Sequence, residues 1–273
     1  MSTVAPLATV LRTEGLSVSY GGVRALVEVD IVVGQGQLVG LIGPNGAGKT
    51  TFVDAVTGFT GYRGRALLDG VDLSGLAPHE RARRGLARTW QSSDLFDDLT
   101  VRENLAVVHR FSNFSQMLRE IARRDDGGGP VVDRALEILG LDALSGKSPP
   151  ELTQGQRKLV GVARAFAARP RLLCLDEPAA GLDTVESRAL GLRFREMLEG
   201  SGASMLLIDH DMGLVLSVCD YVYVLDYGKV IARGTPDEVR NNPAVIQAYL
   251  GASTPQQVGA LSGPVAETYD GNT

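Results

Sequence analysis

The sequence predicts an α/β fold: a mainly parallel sheet with crossover helices, an N-terminal antiparallel β subdomain and an inserted α-helical subdomain. Three observations carry this. In the second half of the chain short apolar runs alternate with helical patterns, which is how parallel strands joined by crossover helices are written. Residues 13–39 instead alternate apolar and polar, the period of half-buried antiparallel strands. Between the two regions lie VRENLAVVHRF, SQMLREIARR and VVDRALEILGL, all of helical period.

The elements follow in order. From Thr13 to Val39 two alternating runs flank Tyr20-Gly21-Gly22, a hairpin-like turn. Leu38 to Ile42 is a short, wholly apolar run, expected to be a buried strand leading into GPNGAGKTT. Thr50 to Val56 continues as a helix stopped by Gly58, and ALLDGVDL adds a strand and a turn. In the helical middle, Asp125-Asp126-Gly127-Gly128-Gly129-Pro130 reads as a flexible loop. SPPELTQGQRKLVGVAR then opens on a turn and becomes a basic amphipathic helix. After it come strand LLCL, helix SRALGLRFREML, strand SMLLI, a further helix and strand YVYVL. The expected organisation is a core of residues 12–92 and 160–251, a helical subdomain over 93–159, and a weakly ordered tail over 252–273.

Composition narrows the function. The chain has 273 residues, 44% of them hydrophobic, enough to bury a substantial core, and a net charge of −5. That acidic balance argues against nucleic acid or a lipid surface gripped by a broad basic field, so any bound anion must be held locally. The two cysteines, Cys174 and Cys219, form neither a disulfide framework nor a metal-binding spacing, which fits a reducing, cytoplasmic setting. No run approaches the ~20 apolar residues needed to span a bilayer; work at a membrane would require another subunit as anchor.

The strongest chemical signal is Gly43-Pro44-Asn45-Gly46-Ala47-Gly48-Lys49-Thr50, which fits G-x-x-x-x-G-K-[ST] between a buried strand and a helix. Glycines let backbone N–H groups wrap a nucleotide's phosphates, the helix N-terminus adds partial positive charge, and Lys49 reaches the β- and γ-phosphates. The Thr50 hydroxyl is a candidate Mg²⁺ ligand, with Thr51 beside it. A helix terminus contributes only about 0.3–1 kcal/mol against an exposed anion, so several charge-assisted bonds must act together.

Leu172-Leu173-Cys174-Leu175-Asp176-Glu177 is an apolar strand ending in adjacent carboxylates, at the strand end where buried sheets place ligands. Asp176 would hold Mg²⁺ directly or through water, and Glu177 could orient and deprotonate the attacking water.

Taken together, GPNGAGKTT, the glutamine of TWQ, LTQGQ, LLCLDEP, AGLD and IDHD resemble the successive motifs of ATP-binding cassette (ABC) ATPases, over roughly residues 12 to 251. The resemblance implies that Tyr20 stacks on adenine and that Gln91 faces both Mg²⁺ and a transmembrane partner. It further implies that His210 contacts the γ-phosphate and that Gly181 to Asp183 line a dimer interface. Alone, each of these residues is as readily structural: Tyr20 a strand aromatic, Gln91 a turn cap, His210 a hydrogen-bonded strand-end histidine.

ARTWQSSDLFDDLTVRENL, LLIDHDMGLV and GTPDEVRNNPAVIQAYLG are similar to the ATP-binding subunits of bacterial branched-chain amino acid importers, a subgroup that also serves urea, amides and other small solutes. The ATPase of lipopolysaccharide export resembles them in its ending. The likeness implies Mg²⁺ and ATP as cofactors and a peripheral place on the cytoplasmic face of the membrane. It implies as partners a second ABC ATPase, related or identical, transmembrane permeases contacting the surface around Gln91 and Ser92 to Leu99, and indirectly an extracytoplasmic solute-binding protein. A soluble ABC ATPase acting on ribosomes or DNA would commonly carry two cassettes or a coiled-coil insertion, and a small-molecule kinase would need neither LTQGQ nor His210.

The family's signature loop is usually LSGGQ, and here it is Leu152-Thr153-Gln154-Gly155-Gln156. Thr153 keeps the hydroxyl that would donate to the partner's ATP. Gln154 replaces a glycine, which matters only if that position needs positive φ. Gly155 is where backbone would approach phosphate, with Gln156 beside it.

Overall fold

The computed structural model describes residues 8–90, 95–111 and 129–250. Strand β1 (Thr9–Tyr20) turns at Gly21-Gly22 into β2 (Val23–Val29), and the two pair antiparallel from Leu16↔Val29 to Tyr20↔Val23. β1 also pairs antiparallel with β3 (Val32–Gly34) and β5 (Arg63–Leu68). β5 folds back on β6 (Val71–Asp72) through Asp69-Gly70, with φ of 47° and 78°. A two-residue hairpin turn of that kind needs positive φ at both central positions, which Asp-Gly supplies.

A second sheet holds β4 (Leu38–Ile42), β7 (Leu86–Arg88), β8 (Leu172–Asp176), β9 (Ser204–Ile208), β10 (Tyr221–Asp226) and β11 (Lys229–Gly234), in the order β11-β10-β4-β9-β8-β7. It is parallel except for the β10–β11 hairpin at one edge. Its central strands read as unbroken apolar runs because both faces are covered. Leu173, Leu175, Met205 and Leu207 enter a core shared with helices, whereas Leu172, Cys174, Leu206 and Ile208 enter one shared with the antiparallel sheet. The edge strands β7 and β11 were not expected from the sequence, for β7 is too short to show a period and β11 mixes charged and apolar residues.

Among the described residues the α-helices are α1 (Lys49–Thr57), α2 (Pro78–Arg83), α3 (Val101–Phe111), α4 (Gly129–Leu139), α5 (Gln154–Ala167), α6 (Thr184–Leu198), α7 (Met212–Val218), α8 (Pro236–Arg240) and α9 (Pro243–Leu250). Gly58 ends α1 in the left-handed conformation, as expected for a glycine stop. Gly129 and Pro130, expected at the end of a glycine-rich loop, instead begin α4. Pro130 occupies its first turn, where the missing N–H costs nothing. Asp125–Gly128, the SQMLREIARR segment and the tail over 252–273 lie outside the described residues. The boundary expected at 159–160 falls inside α5. Val101, Leu105, Val132 and Leu136 of the helical insert share a core with Leu173 and Leu207 of the sheet, so the insert is packed onto it without a break. No helix among the described residues is long and apolar enough to cross a membrane.

Candidate nucleotide site

β4, β9 and β8 lie side by side and parallel, with Leu41↔Ile208 and Asp176↔Ile208 in register. Their carboxyl ends therefore release three segments at one edge of the sheet: Gly43 to Lys49, Asp209 to Asp211, and Glu177 onward. Open α/β sheets bind ligands at such an edge.

The loop from Gly43 to Lys49 is shaped by its glycines. Gly43 packs so closely on β10 that a Cβ would collide with the Leu225 carbonyl oxygen, and Gly48 stands with φ of 106° as the N-cap of α1. No side chain caps α1 and no acid sits in its first turn, so its leading amides are open to an external anion. The loop is pinned by its own backbone, Ala47 N donating to Pro44 O at 3.1 Å and Gly228 N to Ala47 O at 2.9 Å. Lys49 Nζ donates to the carbonyls of Gly43 at 2.7 Å and Pro44 at 3.1 Å. Burial lowers the Lys49 ammonium from the ordinary lysine value, and Glu177, Asp209 and Asp176 oppose that fall. Asn45 and Gly46 at the loop's tip, and Thr50 in the first turn of α1, are exposed, and Thr51 is half-buried.

Across the edge, the Asp176 N–H donates to Thr89 Oγ1 at 3.0 Å, and Asp176 Oδ2 accepts from Arg88 Nη2 at 2.8 Å. Asp176 Oδ1 is buried with no hydrogen-bond partner among the described residues. Burial raises the Asp176 carboxyl above the ordinary value, and Arg88 draws it partly back. Glu177 adopts φ of 46°, unusual for a residue with a Cβ, and its N–H donates to Ile208 O at 2.8 Å. His210 Nδ1 stands 4.0 Å from Glu177 Oε1 and 3.5 Å from Asp209 Oδ1.

Asp209 was not anticipated as a site residue. It is fully buried and accepts from Asp211 N at 3.0 Å and Ala179 N at 3.4 Å, bracing the segments that follow β9 and β8 against each other. Its carboxyl is raised chiefly by burial. A charged residue directly after the apolar run over residues 205–208 is the signal in the sequence.

At the start of α5, Thr153 Oγ1 accepts from Gln156 N at 3.2 Å while Gln156 Oε1 accepts from Thr153 N at 2.9 Å, a complete capping box. The Thr153 hydroxyl is used as an acceptor, so its hydrogen stays available for donation. Gln154 lies in the first turn of a right-handed helix, so the loss of a glycine there carries no backbone strain. Lys158 Nζ donates to Ala180 O, tying this helix to the segment Gly181–Asp183, and Asp183 in turn caps α6 through Val185 and Glu186 N–H.

Tyr20 closes β1 with half its surface exposed and its hydroxyl paired with Thr60 Oγ1 at 3.1 Å. Gln91 lies outside the described residues, as do Ser92 to Asp94. A cavity of about 620 Å³ opens on the other flank of the phosphate loop, lined by Pro44 to Ala47, Asp226, Tyr227 and residues of α9, but by none of Asp176, Glu177 or His210. Beside α9's contact with the loop, Tyr249 is fully buried against Gly43, and its phenol is pushed up by that burial.

An uncapped helix behind a glycine loop, a buried lysine, and a strand-end acid with one oxygen unpartnered together define a P-loop nucleotide-hydrolysing site. The chain belongs to the ABC transporter ATPases: the ABC transporter family matches residues 26–180, and a family described as branched-chain amino acid ATP-binding cassette transporter matches residues 229–253. The chain is 39% identical to the high-affinity branched-chain amino acid transport ATP-binding protein BraF of Pseudomonas aeruginosa, over 89% of this chain and 98% of that one. It is 39% identical to LivG of Escherichia coli K12, of the same description, over 88% and 97%. The lipopolysaccharide export ATP-binding protein LptB of Haemophilus influenzae is 35% identical over 89% and 98%. Among solved structures, a nucleotide-free ATP-binding cassette from an ABC transporter superposes with TM-score 0.76 at 30% identity, covering 88% of this chain and 98% of that one. A cassette in its ADP conformation gives 0.75 at 30% identity, covering 89% and 99%.

Proposed function

We propose that this ATPase powers the import of branched-chain amino acids or related small polar solutes. The observation that carries the reading is the likeness to branched-chain amino acid transport proteins along nearly the whole chain, including residues 229–253 at its end. ATP is held by the Gly43–Thr51 loop, with Lys49 on its phosphates and Tyr20 stacked on adenine. Thr50, Asp176 and Gln91 would hold Mg²⁺, and the unpartnered Oδ1 of Asp176 fits that use. Bound Mg²⁺ offsets charge on the phosphates. Glu177 takes the proton of the attacking water, and His210, within 4.0 Å of it, orients toward the γ-phosphate.

A second ATPase subunit completes the site, a related chain in preference to an identical one. Gly155 supports an approach from outside the subunit, whichever chain makes it. It needs no positive φ, and a Cβ there would meet only Leu182 Cδ2 at 3.8 Å, so nothing among the described residues requires glycine. A close approach from outside, by the phosphate of another subunit's ATP facing Thr153, Gly155 and Gln156, does. Permeases dock where aromatics are left in solvent on both sides of residues 91–94: Trp90 is 45% exposed, Phe96 51%, and Phe59, edge-on to Trp90, 54%. The chain then works at the cytoplasmic face, and an extracytoplasmic binding protein delivers solute to the permeases. Nucleic acid has no part in it.

Deleting the gene should abolish energised uptake of labelled leucine, isoleucine and valine, and the native chain, but not Lys49→Ala, should restore it. Unimpaired uptake combined with failed lipopolysaccharide delivery would transfer the chain to the export branch.

A further inference from the structure

Arg88, at the end of β7, links the strand that ends in Asp176 to α1, the helix that carries Thr50. Its Nη2 donates to Asp176 Oδ2 at 2.8 Å, and its Nη1 donates to Asp54 Oδ1. Asp54 stands four residues beyond Thr50 on α1, one turn along the same face. The backbone repeats the link: Arg88 is in register with Cys174, and Thr89 bonds the Asp176 and Cys174 backbones. The indole of Trp90 covers the guanidinium, 4.4 Å from ring centre to Cζ, and Phe59 packs on Trp90 at 4.8 Å. The Arg88 side chain is only 7% exposed.

A buried ion pair is weak evidence for stability, because well-packed apolar residues of similar volume often do as well. Three charges placed between the helix that carries Thr50 and the strand that ends in Asp176 call for another use. We propose that Arg88 is a positioning residue that fixes the distance and orientation of Asp176 relative to the Thr50 helix, occupying Oδ2 so that Oδ1 is the oxygen presented to Mg²⁺; this rests on the magnesium role proposed for those two residues. The planar fork suits the task, since it engages two carboxylates at once in fixed geometry, and a lysine ammonium would not hold both in that arrangement. Partners that orient metal ligands typically matter to metal affinity by about 10–100-fold.

The test is nucleotide binding by the full chain, with a fluorescent ATP analogue titrated once in EDTA and once in saturating Mg²⁺, the ratio of the two affinities measuring what the metal contributes. Arg88→Met should bind in EDTA within about twofold of the native chain and lose about tenfold of the Mg²⁺-dependent gain. Arg88→Lys should lose less, and Asp54→Asn, which releases only the α1 tether, should also lose part of it. If Arg88→Met is not recovered folded, Arg88→Lys decides: a gain equal to the native one overturns the proposal. Equal losses with and without Mg²⁺ overturn it too, since they mark a residue that merely holds the fold. Asp176→Asn separates the two layers: a gain that persists there removes the magnesium role and the proposal with it. A gain lost in Asp176→Asn but kept in Arg88→Met removes Arg88 alone.

Discussion

Glu177 is held in a conformation that its side chain resists. Left-handed backbone at a residue with a Cβ costs on the order of 1–3 kcal/mol and persists only where surrounding structure imposes it. Here the bond from Glu177 N–H to Ile208 O turns the chain as it leaves β8 and sets the carboxylate within 4.0 Å of His210. Glu177→Gln keeps shape and hydrogen-bonding capacity but removes the proposed base. Hydrolysis should fall by about 10²–10⁴-fold while ATP affinity is unchanged, because general-base catalysis contributes in that range. Glu177→Gly should abolish hydrolysis equally without lowering the melting temperature, since glycine adopts the left-handed region freely. Steady-state turnover beside ATP binding, and a thermal melt, check the pair. Native turnover in Glu177→Gln would remove it as the base, and earlier melting of Glu177→Gly would show that the conformation is not strained.

At the scale of the element, the N-terminus of α5 separates a structural task from the functional one proposed for it. Thr153 caps the helix, so Thr153→Ala should cost about 0.5–2 kcal/mol of stability and lower ATPase activity as well. Gly155 has no such task. Gly155→Ala should leave stability unchanged or raise it by up to about 1 kcal/mol, as alanine does within a helix, and still lower ATPase activity. Gly155→Asp should block hydrolysis while ATP binding persists. Denaturant melts and hydrolysis rates measured together would show the split, and a Gly155→Ala chain with native turnover would mean that no phosphate approaches there. These elements were legible because their signals are local: a contiguous apolar strand, a glycine loop, a hydroxyl followed three residues later by glutamine. What the sequence did not disclose depends on partners far away in the chain. β7 has three residues and no period, and its Arg88 gains meaning only from Asp54 and Asp176, 34 and 88 positions away. Asp209 is defined by Ala179, and Tyr249 by Gly43, pairings that arise only once the strands are laid side by side.

Across the whole molecule, the two thiols report on the two cores. Cys174 lies in the cluster between the parallel sheet and the antiparallel strands, and Cys219 in the one beneath the helices. Burial pushes Cys174 up to about 12 from 9.0, and pushes Cys219 up as well. In the unfolded chain each thiol ionises near its ordinary value, while in the folded chain it stays protonated. The stability this contributes is therefore fully present below about pH 9 and is lost as pH rises toward 12, at about 1.4 kcal/mol per pH unit per thiol once the unfolded thiols ionise. Denaturation midpoints should fall between pH 8 and pH 10.5, and the fall should be shallower in Cys174→Ala and in Cys219→Ala after allowance for each variant's own cost at pH 8. Because alternate residues of the same strands serve the two clusters, neither core can open without disturbing the other. Thiol labelling in mild denaturant, followed in each single-cysteine variant, should thus proceed at one common rate set by global opening. Faster labelling of Cys219 would show instead that the helical side loosens by itself, and that the sheet does not bind the two cores into one cooperative unit.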